Sequence, residues 1–269
     1  MARVDKKGII QGGVGPVVTR NLRGRSIVQT KPRNHKKHDN TLREAKKFGK
    51  ISSDAKVVRS IVQSFLEQRH DSYMYTRFTS AMSKALKKNT ALKEVDRNIN
   101  NADLSDLVGF EFNSNCDFSD VFLGEITVEV VDNKEIHISV PSFKTQQTIF
   151  FPEKTNVLEL NFLVYEQNEH KIGNTIEPGF SYEILKESDV VTEQVFTKEL
   201  HWPECFYMVV VEACFYTKYD KDKRVLYNSK HFNPSTILYV KQVIHGIDTS
   251  KEISTATKDD HFAGLIIDI

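Results

Sequence analysis

Cysteine is scarce in this chain, with three in 269 residues, Cys116, Cys205 and Cys214, and no CxxC pair among them. An odd number without paired spacing argues against a disulfide framework. The expected state is buried free thiols in a reducing cytoplasm, with a Cys205–Cys214 bridge left open. Long apolar runs are absent too. The longest, Phe206 to Tyr216, is interrupted by Glu212 and falls short of the roughly 18 uncharged residues of a membrane span. It reads as a buried strand. Behind the basic opening Met1–Lys7 there is no apolar stretch of signal-peptide length, so no leader is expected. Residues 1–40 hold no Phe, Tyr or Trp, which removes the stacking platform used by binders of single-stranded nucleic acid.

Catalytic and cofactor signatures are missing as well. Gly12-Gly13-Val14-Gly15 lacks the Gly-Lys-Ser/Thr ending of a phosphate loop, and it is followed by Pro16 and an extended run where a dinucleotide fingerprint needs a helix. Turn formation or close backbone packing explains these glycines. Gly179-Phe180-Ser181-Tyr182 opens like a nucleophile elbow, but Glu183 stands where the second glycine belongs. His35 and His38 lie three apart without the further ligands of a zinc set. Cys116 and Cys205 have no Cys-His arrangement around them. The expectation is a chain that is not an enzyme, with no catalytic residue, no cofactor and no metal.

What is present is a division of charge. Residues 1–100 carry 23 Lys and Arg against 8 Asp and Glu, a net of +15, whereas residues 101–269 carry 14 against 28, a net of −14. Such asymmetry marks an interaction segment. Arg20, Arg23, Arg25, Lys31, Arg33, Lys36 and Lys37 fall within 18 positions and are the expected partner-binding residues. Clustered cations neutralise phosphates, and Arg also makes bidentate contacts to carboxylates. The acidic remainder of the chain and the missing aromatics favour an acidic protein surface, or a second copy of this chain, over nucleic acid. Nucleic acid remains the alternative, and a solvated arm is the plain reading.

The chain is organised by changes of period. Val17-Val18-Thr19-Arg20 and Ser26–Thr30, joined by Asn21–Arg25, predict a basic hairpin. A two-stranded hairpin is marginal alone, so this one must dock on something. Thr41-Leu42-Arg43-Glu44 fits a capping box that starts an amphipathic stripe running to Phe65, which Gly49 and Ser52-Ser53 weaken locally, so that either a kinked helix or two shorter ones fit. A second helix is predicted from about Ser72 to Lys87, burying Tyr75, Phe78, Met82 and Leu86, and Asn89–Asp106 reads as a polar connector. From Leu107 the period falls to two. Strands are expected at Phe110–Asn113, Gly124–Val130, Lys134–Val140, Gln147–Phe151, Asn156–Tyr165, Tyr182–Leu185, Phe206–Tyr216, Arg224–Asn228 and Ile237–Val243, with a last edge strand in Ala263–Ile269. Trp202 reads as a core or edge plug. The fold class is α+β: a basic β-hairpin arm (1–40), a helical segment (41–106) and an acidic antiparallel β-sandwich, Ig-like or similar (107–269), in one or two short sandwiches.

The residues Gly12–Val18, Arg23-Gly24, Ser26–Thr30, Lys31-Pro32 and Lys47-Phe48, with Phe78–Lys87 and Gly109–Asn113, resemble an uncharacterised bacterial family, a domain of unknown function. Members open with a Gly-rich segment, two short extended runs around an Arg-Gly turn, and a helix; many place a large aromatic where this chain has Leu22. The resemblance implies architecture and no activity. Together these readings predict a structural assembly protein, cytoplasmic or within a larger particle. Its arm would dock through Arg20, Arg23, Arg25 and Lys31, backed by main-chain pairing of Val17–Thr19 and Ile27–Gln29.

Overall fold

A computed structural model describes residues 2–6, 8, 10–22, 25–31, 38–89, 98–132, 134–168, 173–175, 179–202, 206–220 and 223–242. The chain divides into two compact units, residues 1–46 and 47–269. In the first, β1 (Arg3–Val4), β2 (Ile10–Val14), β3 (Val17–Leu22) and β4 (Arg25–Thr30) form one antiparallel sheet in chain order. The predicted hairpin is therefore β3–β4, extended by two strands on one side. Gly15, with φ +55, occupies the tight link between β2 and β3, where the backbone needs a conformation that a side chain resists. No described residue of β1–β4 is buried.

Helix α1 (Asp39–Phe65) begins two residues before the predicted cap and runs through Gly49 without a break. His38 starts it. Its carbonyl accepts from the Leu42 amide at 3.1 Å and its Nδ1 from the Asn40 amide at 3.3 Å. Ala55, Val58 and Val62 make the buried stripe, whereas Leu42 and Phe48, earlier on the same apolar spacing, are exposed. The helix ends in a Schellman motif: the Glu67 amide bonds to Ser64 O and the Gln68 amide to Gln63 O, with Glu67 at φ +46. Glycine is usual there. Here the Glu67 carboxylate accepts from Arg69 Nη1 at 2.5 Å, so the strained position also aims a cation. Helix α2 (Met74–Lys88) buries Met74, Phe78, Met82, Ala85 and Leu86. The predicted inward Tyr75 is instead exposed, with its hydroxyl bonded to Gln63 and Arg59 lying 4.9 Å over its ring.

The rest of the second unit holds a 3₁₀ turn (Ser105–Leu107), two four-residue helices, α3 (Phe118–Val121) and α4 (Thr145–Thr148), and the strands β5 to β15. The strands are β5 (Thr127–Val131), β6 (Glu135–Val140), β7 (Phe143–Lys144), β8 (Val157–Gln167), β9 (Gly173–Thr175), β10 (Phe180–Leu185), β11 (Val190–Val191), β12 (Gln194–Glu199), β13 (Phe206–Asp220), β14 (Lys223–Leu226) and β15 (Ser235–Gln242). All pairings are antiparallel.

Strand β13 organises the core. It pairs with β8 from Phe206 to Tyr216, and its other edge is shared by β15 and then β14. Alternate residues leave opposite faces of a strand. Phe206, Met208 and Val210 join Leu163, Tyr165 and the α1–α2 stripe in one cluster. Tyr207, Val209, Val211 and Phe215 join Leu158, Leu160 and Phe162 and the inner residues Ile136, Ile138 and Val140 of the β12–β6–β5 sheet in another. The second unit is thus three layers: helices, a six-stranded sheet and a three-stranded sheet. Burial of each large apolar side chain in the middle layer contributes about 1.5–3 kcal/mol.

The α+β class stands as expected. Differences are local. The connector read as polar supplies Ile99, Ala102 and Leu104 to the core. Gln147–Phe151 is not a strand: α4 occupies its start, and Ile149 makes a single bridge to Phe122. Phe110–Asn113 contributes one bridge, Glu111 to Thr236. Strand β12 was not expected, because Gln194–Glu199 alternates with mostly polar, half-exposed residues. Trp202 packs partly buried against the sheet–sheet core. The expected strand in Ala263–Ile269 and the thiol of Cys205 lie outside the described residues; Cys116 and Cys214 are free. Among the described residues no helix is long and apolar enough to cross a membrane.

Candidate partner-docking interface

The register of the first sheet sorts its side chains. Val17 pairs with Thr30, Thr19 with Val28 and Asn21 with Ser26, while Val14 pairs with Val17 and Gly12 with Thr19. Paired residues share a face, so Val14, Val17, Thr19, Val28 and Thr30 form a surface without charge. The other face carries Val18, Arg20, Leu22, Arg25, Ile27 and Gln29, because Arg20 pairs with Ile27 and Leu22 with Arg25. Arg20 and Arg25 are therefore diagonal neighbours, about 7–8 Å apart on ordinary sheet geometry. Both are exposed, as is Lys31 just beyond β4, whose amide bonds to Pro16 O at 2.6 Å. None of the three makes a side-chain hydrogen bond or ion pair with a described residue. Arg23, Arg33, Lys36 and Lys37, the other predicted partner-binding residues, lie outside the described residues.

One part of the predicted mechanism needs correction. β3 is hydrogen-bonded on both sides, to β2 and β4. The main chain of Val17–Thr19 is consumed inside the sheet and cannot pair with a partner. Of the two stretches expected to pair, only Ile27–Gln29 lies on an edge strand, because β4 ends the sheet on one side as β1 does on the other.

An oppositely charged surface exists on the second unit. In the β12–β6–β5 sheet the inner residues face the core, and the outer face is set by the pairs Glu129–His137, Val131–Glu135, Thr197–His137 and Glu199–Glu135. Glu129, Glu135 and Glu199 are exposed on it, and no Lys or Arg shares that face. Glu135 and Glu199 stand directly opposite each other, and like charges so placed are destabilising. His137 Nε2 lies 3.1 Å from Glu135. Exposed Val131 and Val195 add apolar area to the same face. The clean alternation of Lys134–Val140 pointed to this sheet, but Glu199 was hidden in the unexpected β12.

A second concentration of polar groups lies where the helix-facing side of the large sheet runs out from under the helices. A cleft of about 990 Å³ is lined by Phe65, Arg69, Glu159, Glu212, Tyr216 and Arg224, among others. Arg69 donates to Glu212 at 3.0 Å and to Asn233 Oδ1 at 3.3 Å; Asn233 Nδ2 donates to Glu212 at 2.7 Å and Asn228 Nδ2 to Asn233 at 2.7 Å. Burial pushes the Glu212 carboxyl up, and the Arg69 guanidinium works against that push. Burial opposes the charge of Arg69 too, but Glu212 and its neighbours outweigh it and raise the guanidinium. Burial, reinforced by Glu212, pushes the Cys214 thiol up, and burial with the nearby Cys214 and Glu159 does the same to Tyr216. Burial lifts Cys116 to about 11. Thiols so placed stay protonated and are weak nucleophiles. The one sequence signal for this network was Glu212, a single charge inside the longest apolar run.

Among the described residues no group of three His, Cys, Asp or Glu is placed to hold a metal ion. Comparison with family models, with curated proteins and with solved structures finds no match to this chain.

Proposed function

We propose that this protein is a non-enzymatic assembly component, cytoplasmic or part of a larger particle, whose amino-terminal sheet docks by its cationic face on an acidic protein surface. One observation carries the reading: Arg20, Arg25 and Lys31 are exposed and have no intramolecular ion pair among the described residues, in a chain whose remainder is strongly acidic. Leu22 and Ile27 on the same face supply apolar contact between the charges. Protonated, partly or fully buried Cys116 and Cys214 and a cleft whose charges bond to one another favour binding over catalysis.

The test is light scattering of the full chain at low and high salt, beside Arg20→Glu/Arg25→Glu. The wild type is expected to associate at low salt and to come apart as salt screens the contact. The variant should stay monomeric in both. Association that is indifferent to salt and to the double reversal would end the proposal. The density of cations in the leading segment favours nucleic acid as the second reading. Salt-dependent retention of DNA or RNA by the full chain in a filter assay, lost in the same variant, would replace the first reading.

A further inference from the structure

Resting on that reading, we infer that the acidic receptor is the outer face of the β12–β6–β5 sheet on a second copy of this chain, so that copies join arm to body. Both surfaces are faces of antiparallel sheets, which pack face to face about 10 Å apart. Their charges are of opposite sign and unmixed: Arg20 and Arg25 on one, Glu129, Glu135 and Glu199 on the other. Both also carry exposed apolar residues, Leu22 at 49% on the arm and Val131 and Val195 at 37% and 47% on the receptor. The opposed Glu135–Glu199 pair is a cost that an incoming guanidinium relieves, since the planar Arg fork donates to carboxylate oxygens on two sides.

The contact is heterologous: each copy offers one arm and one receptor. It therefore closes into rings if the rotation allows and otherwise runs as filaments. A three-strand face measures roughly 15 Å by 20 Å on ordinary strand spacings, below the ~800 Å² that each partner buries in a standard interface. Each contact is weak, and assembly should rise steeply with concentration.

A charge exchange tests the assignment. The full chain is prepared as Arg20→Glu/Arg25→Glu and, separately, as Glu129→Lys/Glu199→Lys, each checked for native circular dichroism. Either variant alone puts like charges face to face, and its association constant should fall at least about tenfold, the equivalent of about 1.4 kcal/mol. Mixed in equal amounts, the two should associate again, because the reversed arm then meets the reversed receptor and the native arm meets the native receptor. If the arm variant loses association while the Glu129/Glu199 variant keeps it, the receptor lies elsewhere and this inference fails, though the docking arm survives. If both lose association and the mixture does not recover, the two faces do not meet. A wild type that is monomeric at every concentration and salt overturns the inference together with the reading beneath it.

Discussion

Two sheets in this protein are written in a similar vocabulary and have opposite fates. The arm strands β2–β4 are rich in Val, Ile and Thr, β13 and β8 in Val, Phe and Tyr, all strand-forming residues, and each set is antiparallel with continuous hydrogen bonding. In β13 the residues from Phe206 to Val211 are buried on both faces, because helices cover one side and a second sheet the other. In the arm no described side chain is buried. Strand-forming residues specify the backbone in both places. Only the second layer supplies the apolar burial that offsets chain entropy. The difference separates a sheet covered on both faces from one with no buried described residue, and it also separates two kinds of charge. Arg69 in the body is tied to Glu212 and Glu67, whereas Arg20 and Arg25 in the arm make no ion pair with a described residue.

The sharpest way to break that contrast is to remove the body's tied cation. Arg69→Ala strands Glu212, whose side chain is 2% exposed, and should lower stability in urea by about 3–5 kcal/mol, the usual cost of an orphaned buried charge. Arg69→Met/Glu212→Gln removes both charges while leaving Asn233 an acceptor, and should recover most of the loss. A cost below about 1 kcal/mol for Arg69→Ala would mean that water reaches the pair and that the body is no drier there than the arm.

A smaller effect tests burial through pH. Burial raises the Glu111 carboxyl from 4.5 to about 7, against hydrogen bonds from the Phe118 amide and the Thr236 hydroxyl. Its folded value lies above its unfolded one, so the folded chain holds the proton more tightly. The stability this adds is complete below about pH 4.5 and disappears as pH rises through about 7. Glu111→Gln should flatten that decline and exceed the wild type above neutrality by about 2 kcal/mol, after allowance for solvent at this half-buried site. Asp71 runs the other way. Its burial is outweighed by Arg77 and by the Ser114 and Tyr73 amides, its carboxyl is held low, and its contribution is lost only as pH falls below the ordinary carboxylate range. A Glu111→Gln profile that still declines from acid to neutral pH would assign the slope to another group.

How legible these features were follows from how local they are. The hairpin, both helices and the longest strands could be read from period and turn residues, because each is fixed within its own segment. The charged residues of β3 and β4 were visible, but their segregation onto one face depends on register, which a partner strand sets. Helix α1 shows the limit from the other side: Phe48 and Val58 share one apolar rhythm, and only Val58 is buried. Period marks a face without saying whether anything covers it. The Glu135–Glu199 opposition and the Arg69–Glu212 pair join residues 64 and 143 positions apart, so neither could be seen in a short window.

The smallest expected effect is the most direct probe of the arm. Val4 and Ile10 are 68% and 47% exposed, so truncating either side chain removes area that is largely in water both before and after unfolding. Val4→Ala and Ile10→Ala should each change the stability measured in urea by less than about 0.5 kcal/mol at dilute concentration. Phe215→Ala in β13, which is fully buried, should cost about 3–5 kcal/mol in the same measurement. A penalty above about 1 kcal/mol for Val4 or Ile10 would show that the arm is covered in solution. A penalty that appears only as concentration rises would place the cover on another molecule, because only an intermolecular contact scales stability with the amount of chain present.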